Sequence, residues 1–118
     1  MSNEFNQFGL HPQLIQAVEE RGYVTPTPIQ LEAIPLLLSG SDLLGQAQTG
    51  TGKTAAFALP ILERITPGAG HVQALVLAPT RELALQVAKS FYDYGRYREA
   101  KVLSIYGGTP YRRQINRL

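Results

Sequence analysis

Apolar residues along this chain recur at two spacings, one helical and one extended, and the two alternate. Leu10, Leu14 and Val18 fall on one helical face, with Pro12 suited to a first turn and Gly22 to the stop. Thr27-Pro28 reads as an N-cap and first-turn proline opening a second helix that carries Ile29, Ala33 and Leu37, is kinked at Pro35 and stops near Gly40. A third helix is predicted through Phe57 and Leu62 to Arg64, and a fourth after Pro79-Thr80, with Leu83, Val87 and Phe91 on its apolar stripe. Between them lie three short apolar runs, at 42–47, 74–78 and 101–105, which read as strands; the middle one is continuous in apolar character, as strands covered on both faces are. Strands alternating with helices of this length predict parallel βαβ units in a doubly wound α/β sheet with helices on both faces, in a single domain.

Composition changes this picture little. With 118 residues, 44% hydrophobic and 17% charged, the chain has the balance of one globular domain. The longest uncharged apolar-leaning stretch, 55–62, is too short to span a bilayer and contains Pro60, so no membrane segment is expected. The first residues lack a basic region followed by an apolar one, and there is no Cys for disulfides or thiolate metal sites. A cytoplasmic location is therefore expected. Charge is uneven: residues 1–80 carry three basic and six acidic side chains, residues 81–118 eight basic and three acidic. That second balance fits either a solvated helix face or a surface for nucleic acid, with Arg96, Arg98, Lys101, Arg112, Arg113 and Arg117 as the candidate phosphate contacts.

The sharpest chemical signal is Ala47-Gln48-Thr49-Gly50-Thr51-Gly52-Lys53-Thr54, which joins a predicted strand to a predicted helix. It is the Walker A phosphate-loop pattern with Ala in place of the first Gly. A polyphosphate needs several backbone N–H groups aimed at one point, and Gly50 and Gly52 allow the required dihedrals with no side chain in the way. The helix from Lys53 adds its positive dipole end. Lys53 can set an ammonium between the β and γ phosphates, and the Thr54 hydroxyl is suited to Mg²⁺, which makes these two the candidate catalytic residues. Alone, the loop specifies only a nucleoside triphosphate.

Ahead of the loop, Gly22-Tyr23-Val24-Thr25-Pro26-Thr27-Pro28-Ile29-Gln30 resembles the Q motif of the DEAD-box RNA helicases, and Phe5 sits seventeen residues before its Gly, where that family has an isolated aromatic. The resemblance implies that Gln30 reads the adenine edge through a paired donor and acceptor while Phe5 stacks on the ring, with Tyr23 in a packing role and Thr25 in the same nucleotide-facing segment. A local alternative stands beside it. Thr27-x-x-Gln30 is also a capping box, and Phe5 alone reads as a packed terminal aromatic.

Two later segments continue the resemblance. Pro79-Thr80-Arg81-Glu82-Leu83-Ala84 is identical to the family's motif Ia, and Tyr106-Gly107-Gly108 resembles its GG motif. Both follow predicted strands and so fall at the carboxyl edge of the sheet, where ligands of open α/β folds bind. The family implies that Pro79, Thr80, Arg81, Gly107 and Gly108 hold RNA, single-stranded or duplex, by its backbone. The helix N–H groups and Arg81 are suited to phosphate oxygens, while Glu82 orients Arg81 or the cap.

Together these motifs place the chain in the first part of a RecA-like P-loop domain, with a Q-motif segment at 3–31 and the phosphate loop and RNA-facing motifs at 42–118. The function so implied is ATP-dependent RNA unwinding or remodelling, with ATP and Mg²⁺ as cofactors and a second RecA-like domain as partner. The alternative at this length is a non-catalytic module that binds nucleotide or RNA. Family members also carry an Asp-Glu-Ala-Asp run, an SAT segment and second-domain arginines; none occurs in this sequence, where Asp42 and Asp93 are isolated. The 118 residues alone are thus expected to bind nucleotide without turning it over.

Overall fold

The computed structural model describes residues 3–45 and 52–105. Among them are a 3-10 turn at Glu4–Phe8, helices α1 (Pro12–Glu20), α2 (Pro28–Leu38), α3 (Lys53–Arg64) and α4 (Arg81–Gly95), and a second 3-10 turn at Arg96–Arg98. All four predicted helices are present. No helix among the described residues is long and apolar enough to cross a membrane.

Each helix follows from local chemistry. Pro12 opens α1, and Leu14, Ile15, Ala17 and Val18 are its buried face. It ends where Gly22, at φ 79°, turns the chain back: the Gly22 N–H donates to Glu19 O at 2.9 Å and the Tyr23 N–H to Val18 O at 3.1 Å. That is the paired bonding of a Schellman cap. In α2 the buried face is Gln30, Ala33 and Ile34, not the predicted stripe of Ile29, Ala33 and Leu37. The shift has a cause: Gln30 is drawn inward by hydrogen bonds, a force that hydrophobic periodicity does not register. Helix α2 continues through Pro35 to Leu38. Thr80 caps α4 by accepting the Leu83 N–H at 3.1 Å, but only the far half of the expected α4 stripe is covered, with Phe91 buried and Leu83 40% exposed.

The core lies between α1, α2, α3 and α4, where Phe5, Leu14, Val18, Ile34, Leu59, Leu62, Phe91 and Tyr94 are packed together. Burying a side chain such as Leu14 or Leu59 stabilises the fold by about 1.5–3 kcal/mol each. Helix α3 is held at its C-terminal end from two directions. Arg98 donates to Leu62 O at 2.8 Å, Glu63 O at 3.3 Å and Ile65 O at 2.7 Å, and the Glu63 carboxylate accepts the His11 backbone N–H at 2.7 Å. The Arg98 bonds satisfy carbonyls that a helix end otherwise leaves unpaired, and the Glu63 bond satisfies the backbone N–H that precedes α1. The Arg98 guanidinium, a candidate phosphate contact, thus faces the carbonyls of Leu62, Glu63 and Ile65; Arg96 lies 3.9 Å from the Glu20 carboxylate.

The predicted strands are the main difference. Among the described residues no strand is formed at 42–45, 74–78 or 101–105. Leu44, Leu75 and Leu77 are 94%, 80% and 85% exposed, the opposite of the expected burial. An apolar run gives a strand its composition, but a strand exists only through ladder bonds to a neighbour, and these segments find none among the described residues.

Candidate functional site

The N-terminus of α3 is where the sequence places phosphate chemistry. Gly52 is its N-cap, in the left-handed conformation at φ 86°, and the Ala56 N–H returns to Gly52 O at 3.1 Å. Lys53 and Thr54 form the first turn, so the free N–H groups and positive end of the helix sit beside the exposed Lys53. Ala47, Gln48, Thr49, Gly50 and Thr51 lie outside the described residues.

Gln30 meets Gly52 directly. Its side chain is 2% exposed; Oε1 accepts the Thr27 backbone N–H at 2.9 Å, and Nε2 donates to Gly52 O at 3.3 Å. The Thr27 hydroxyl in turn accepts the Gln30 N–H at 3.4 Å, which completes the capping box. The local alternative for Gln30 is thus present, and it comes with a second contact that sequence spacing did not reveal: the amide bridges the α2 cap to the exit of the phosphate loop. A Cβ on Gly52 would lie 2.5 Å from Gln30 Nε2, so the approach requires glycine.

The rest of the 22–30 segment is laced to the N-terminus. Asn3, buried, donates from Nδ2 to Tyr23 O at 2.7 Å and accepts the Phe5 N–H at 2.9 Å, the Glu4 N–H donates to Val24 O at 3.0 Å, and the Thr25 hydroxyl donates to the Glu4 carboxylate. Phe5 is 1% exposed, its ring in the core with an edge contact to Phe8 at 6.0 Å between centroids. It thus presents no open face for stacking here. Tyr23 is on the surface, with the Arg21 guanidinium carbon 5.7 Å from its ring centroid. Burial raises the Tyr94 hydroxyl pKa well above its ordinary value, and the charge of Arg21 offsets this only in part.

The motif predicted to face RNA opens α4. Pro79, Thr80 and Arg81 are exposed there, with the Thr80 hydroxyl engaged as the helix cap and Arg81 the first helical residue. Phe57 and Phe91, 6.0 Å apart between ring centroids, join α3 to α4 within the core. Gly107 and Gly108 lie outside the described residues. No cluster of three or more metal-ligating side chains occurs among the described residues.

Comparison with known proteins places this geometry. Residues 27–118 match the model of the DEAD/DEAH box helicase family. The chain is 51% identical over 118 residues to the DEAD-box ATP-dependent RNA helicase CshA of Bacillus subtilis, covering all of this chain and 24% of that protein. Among solved structures, it resembles the RNA helicase Prp28 of Chaetomium thermophilum bound to ADP, with TM-score 0.83 and 41% identity over 98% of this chain and 29% of that one. It also resembles Dbp5 of S. cerevisiae bound to RNA and ADP BeF3, with TM-score 0.82 and 34% identity over 92% of this chain and 29% of that one. The chain thus spans about a quarter of the length of its curated relative. Its fold is the RecA-like α/β fold of these helicase domains.

Proposed function

The chain belongs to the DEAD/DEAH box helicase family, and from that premise we propose that it is the ATP-binding part of an ATP-dependent RNA helicase, whose residues 3–31 face the base and whose residues 42–118 carry the phosphate loop and RNA-facing motifs. The observation that carries this reading is the bond from Gln30 Nε2 to Gly52 O, 3.3 Å long, which sets the base-reading amide against the mouth of the phosphate loop. A ligand with adenine at one end and a triphosphate at the other fits that juxtaposition.

In this reading the residues at 47–52 cradle the phosphates with backbone N–H groups, Lys53 neutralises the β and γ oxygens, and Thr54 holds Mg²⁺. ATP supplies the phosphoanhydride bond whose cleavage drives the cycle. The Gln30 amide, bonded once at Oε1 and once at Nε2, retains a second lone pair and a second N–H for the adenine N6 and N7 edge, which the ligand reaches by displacing the cover that leaves Gln30 2% exposed. Phe5 enters the proposal as the anchor of the segment behind the base, because stacking on its ring would require the core around it to open. Tyr23 and Thr25 complete that segment. Pro79, Thr80, Arg81, Gly107 and Gly108 take the RNA backbone, and the second RecA-like domain supplies the arginines for hydrolysis.

Competition of ATP and GTP against a fluorescent ATP analogue tests the reading. Wild type is expected to favour ATP, because guanine offers the O6 acceptor where adenine offers the N6 donor. Lys53→Ala is expected to weaken both nucleotides by at least about tenfold, roughly 1.4 kcal/mol. Unchanged affinity in Lys53→Ala would make the loop a structural turn. RNA-stimulated phosphate release by the 118-residue chain above that of its Lys53→Ala variant would show that the hydrolytic groups lie within these residues.

A further inference from the structure

Arg21 carries no motif signal in the sequence, yet it occupies a junction. It follows α1 and precedes Gly22, so the reversal at Gly22 sets its side chain between the start of the 22–30 segment and the end of α4. Its Nη1 lies 3.1 Å from Asp93 Oδ2, and its guanidinium carbon is 5.0 Å from the Tyr94 ring centroid and 5.7 Å from that of Tyr23. Asp93 also receives Lys89 Nζ at 3.2 Å, which holds the carboxylate in place. Tyr94 is 3% exposed and part of the core, so that side of the cage is fixed. Arg21 itself is partly shielded. Burial alone would lower its pKa, but Tyr94, Tyr23 and Asp93 outweigh that and raise it, so the cation is favoured.

The segment that leaves this cage has bonded partners on its other side. Tyr23 O and Val24 O accept from Asn3 and Glu4, the Thr25 hydroxyl donates to Glu4, and two residues later Thr27 caps α2 and positions Gln30 against Gly52. The route from α4 to the base-reading amide therefore runs through the Arg21 side chain and the nine residues from Gly22 to Gln30. A planar cation that lies over two ring faces and pairs with a carboxylate is held in orientation as a point charge is not.

We propose that Arg21 is a positioning residue for base recognition: anchored to α4 by Asp93 and Tyr94, it fixes the approach of Tyr23 to Thr25 and so keeps the Thr27 cap and Gln30 in register with the adenine edge. This rests on the reading of Gln30 as the base-reading residue. Arg21 meets Asp93, Tyr94 and Tyr23, whereas Gly52 and Lys53 are set by the start of α3 and touch this segment only through the Gln30 bond to Gly52 O, so loss of Arg21 is expected to act on the base end more than on the phosphate end. The two ends of the ligand therefore respond differently to its loss.

The test uses the full-length protein and competition of ATP, GTP and inorganic tripolyphosphate against a fluorescent ATP analogue. Arg21→Ala is expected to lower the ATP-to-GTP preference at least about fivefold while tripolyphosphate affinity stays within about twofold of wild type. Arg21→Lys, which keeps the charge but not the stacking plane, is expected to fall between the two. Asp93→Asn, which keeps the stacking and weakens the ion pair, should shift the preference in the same direction and decides the matter if Arg21→Ala does not fold. A preference unchanged in Arg21→Ala, or equal losses for all three ligands, would overturn the proposal and leave Arg21 a structural clamp. Absence of any ATP preference in wild type would instead overturn the reading of Gln30, and the proposal with it.

Discussion

Replacing Gly52 by alanine perturbs the one contact that joins the two halves of the candidate site. Gly52 sits at φ 86°, and a non-glycine residue there costs about 1–2 kcal/mol in backbone strain. The new Cβ would also lie 2.5 Å from Gln30 Nε2, 3.2 Å from Gln30 Cδ and 3.1 Å from Thr27 Oγ1. Gln30 is 2% exposed, so its amide has no solvent to swing into. It must give up the bond to Gly52 O at 3.3 Å and the bond from the Thr27 N–H at 2.9 Å, at about 1 kcal/mol each. The expected loss is about 3–4 kcal/mol, a large part of the 5–15 kcal/mol that stabilises a typical domain. Urea denaturation followed by far-ultraviolet circular dichroism measures it. The decisive comparison is a double-mutant cycle: in a Gln30→Ala background two of the three close atoms are gone, so Gly52→Ala should cost only about 1–2 kcal/mol. Additive costs, within about 0.5 kcal/mol, would refute the claim that the two residues oppose each other across this contact.

Two further outcomes follow from the packing around α3 and α4. Arg98→Ala removes three bonds to the last carbonyls of α3 and should destabilise the protein by about 2–3 kcal/mol in urea denaturation, with ATP-to-GTP preference unchanged; a loss below about 0.5 kcal/mol would mean that water replaces the guanidinium at no cost. Because burial raises the Tyr94 pKa in the folded protein, its contribution to stability is complete below the ordinary tyrosine pKa of about 10 and is lost as pH rises beyond it, where only the unfolded chain releases the proton. Melting temperatures between about pH 8 and 11 should therefore fall less steeply in Tyr94→Phe than in wild type, and parallel curves would count against a buried neutral hydroxyl.

What the sequence settled by itself was whatever depends on neighbours within a few positions. The helix starts at Thr27-Pro28 and Thr80 and the stop at Gly22 are all local hydrogen-bond and dihedral problems, and each is solved by the residues that carry it. The motif residues were legible for the same reason, since Gly52, Lys53 and Thr54 lie together at one helix start. Tertiary structure decided which of several local options each side chain takes. Gln30 keeps its cap and also reaches Gly52, Phe5 turns into the core, Arg98 serves the end of α3, and Arg21 finds Asp93 and Tyr94 more than seventy residues away. The apolar segments at 74–78 and 101–105 show the limit most plainly. Their composition suits a strand, but strand formation belongs to a pair of segments, and no single stretch of sequence contains its partner.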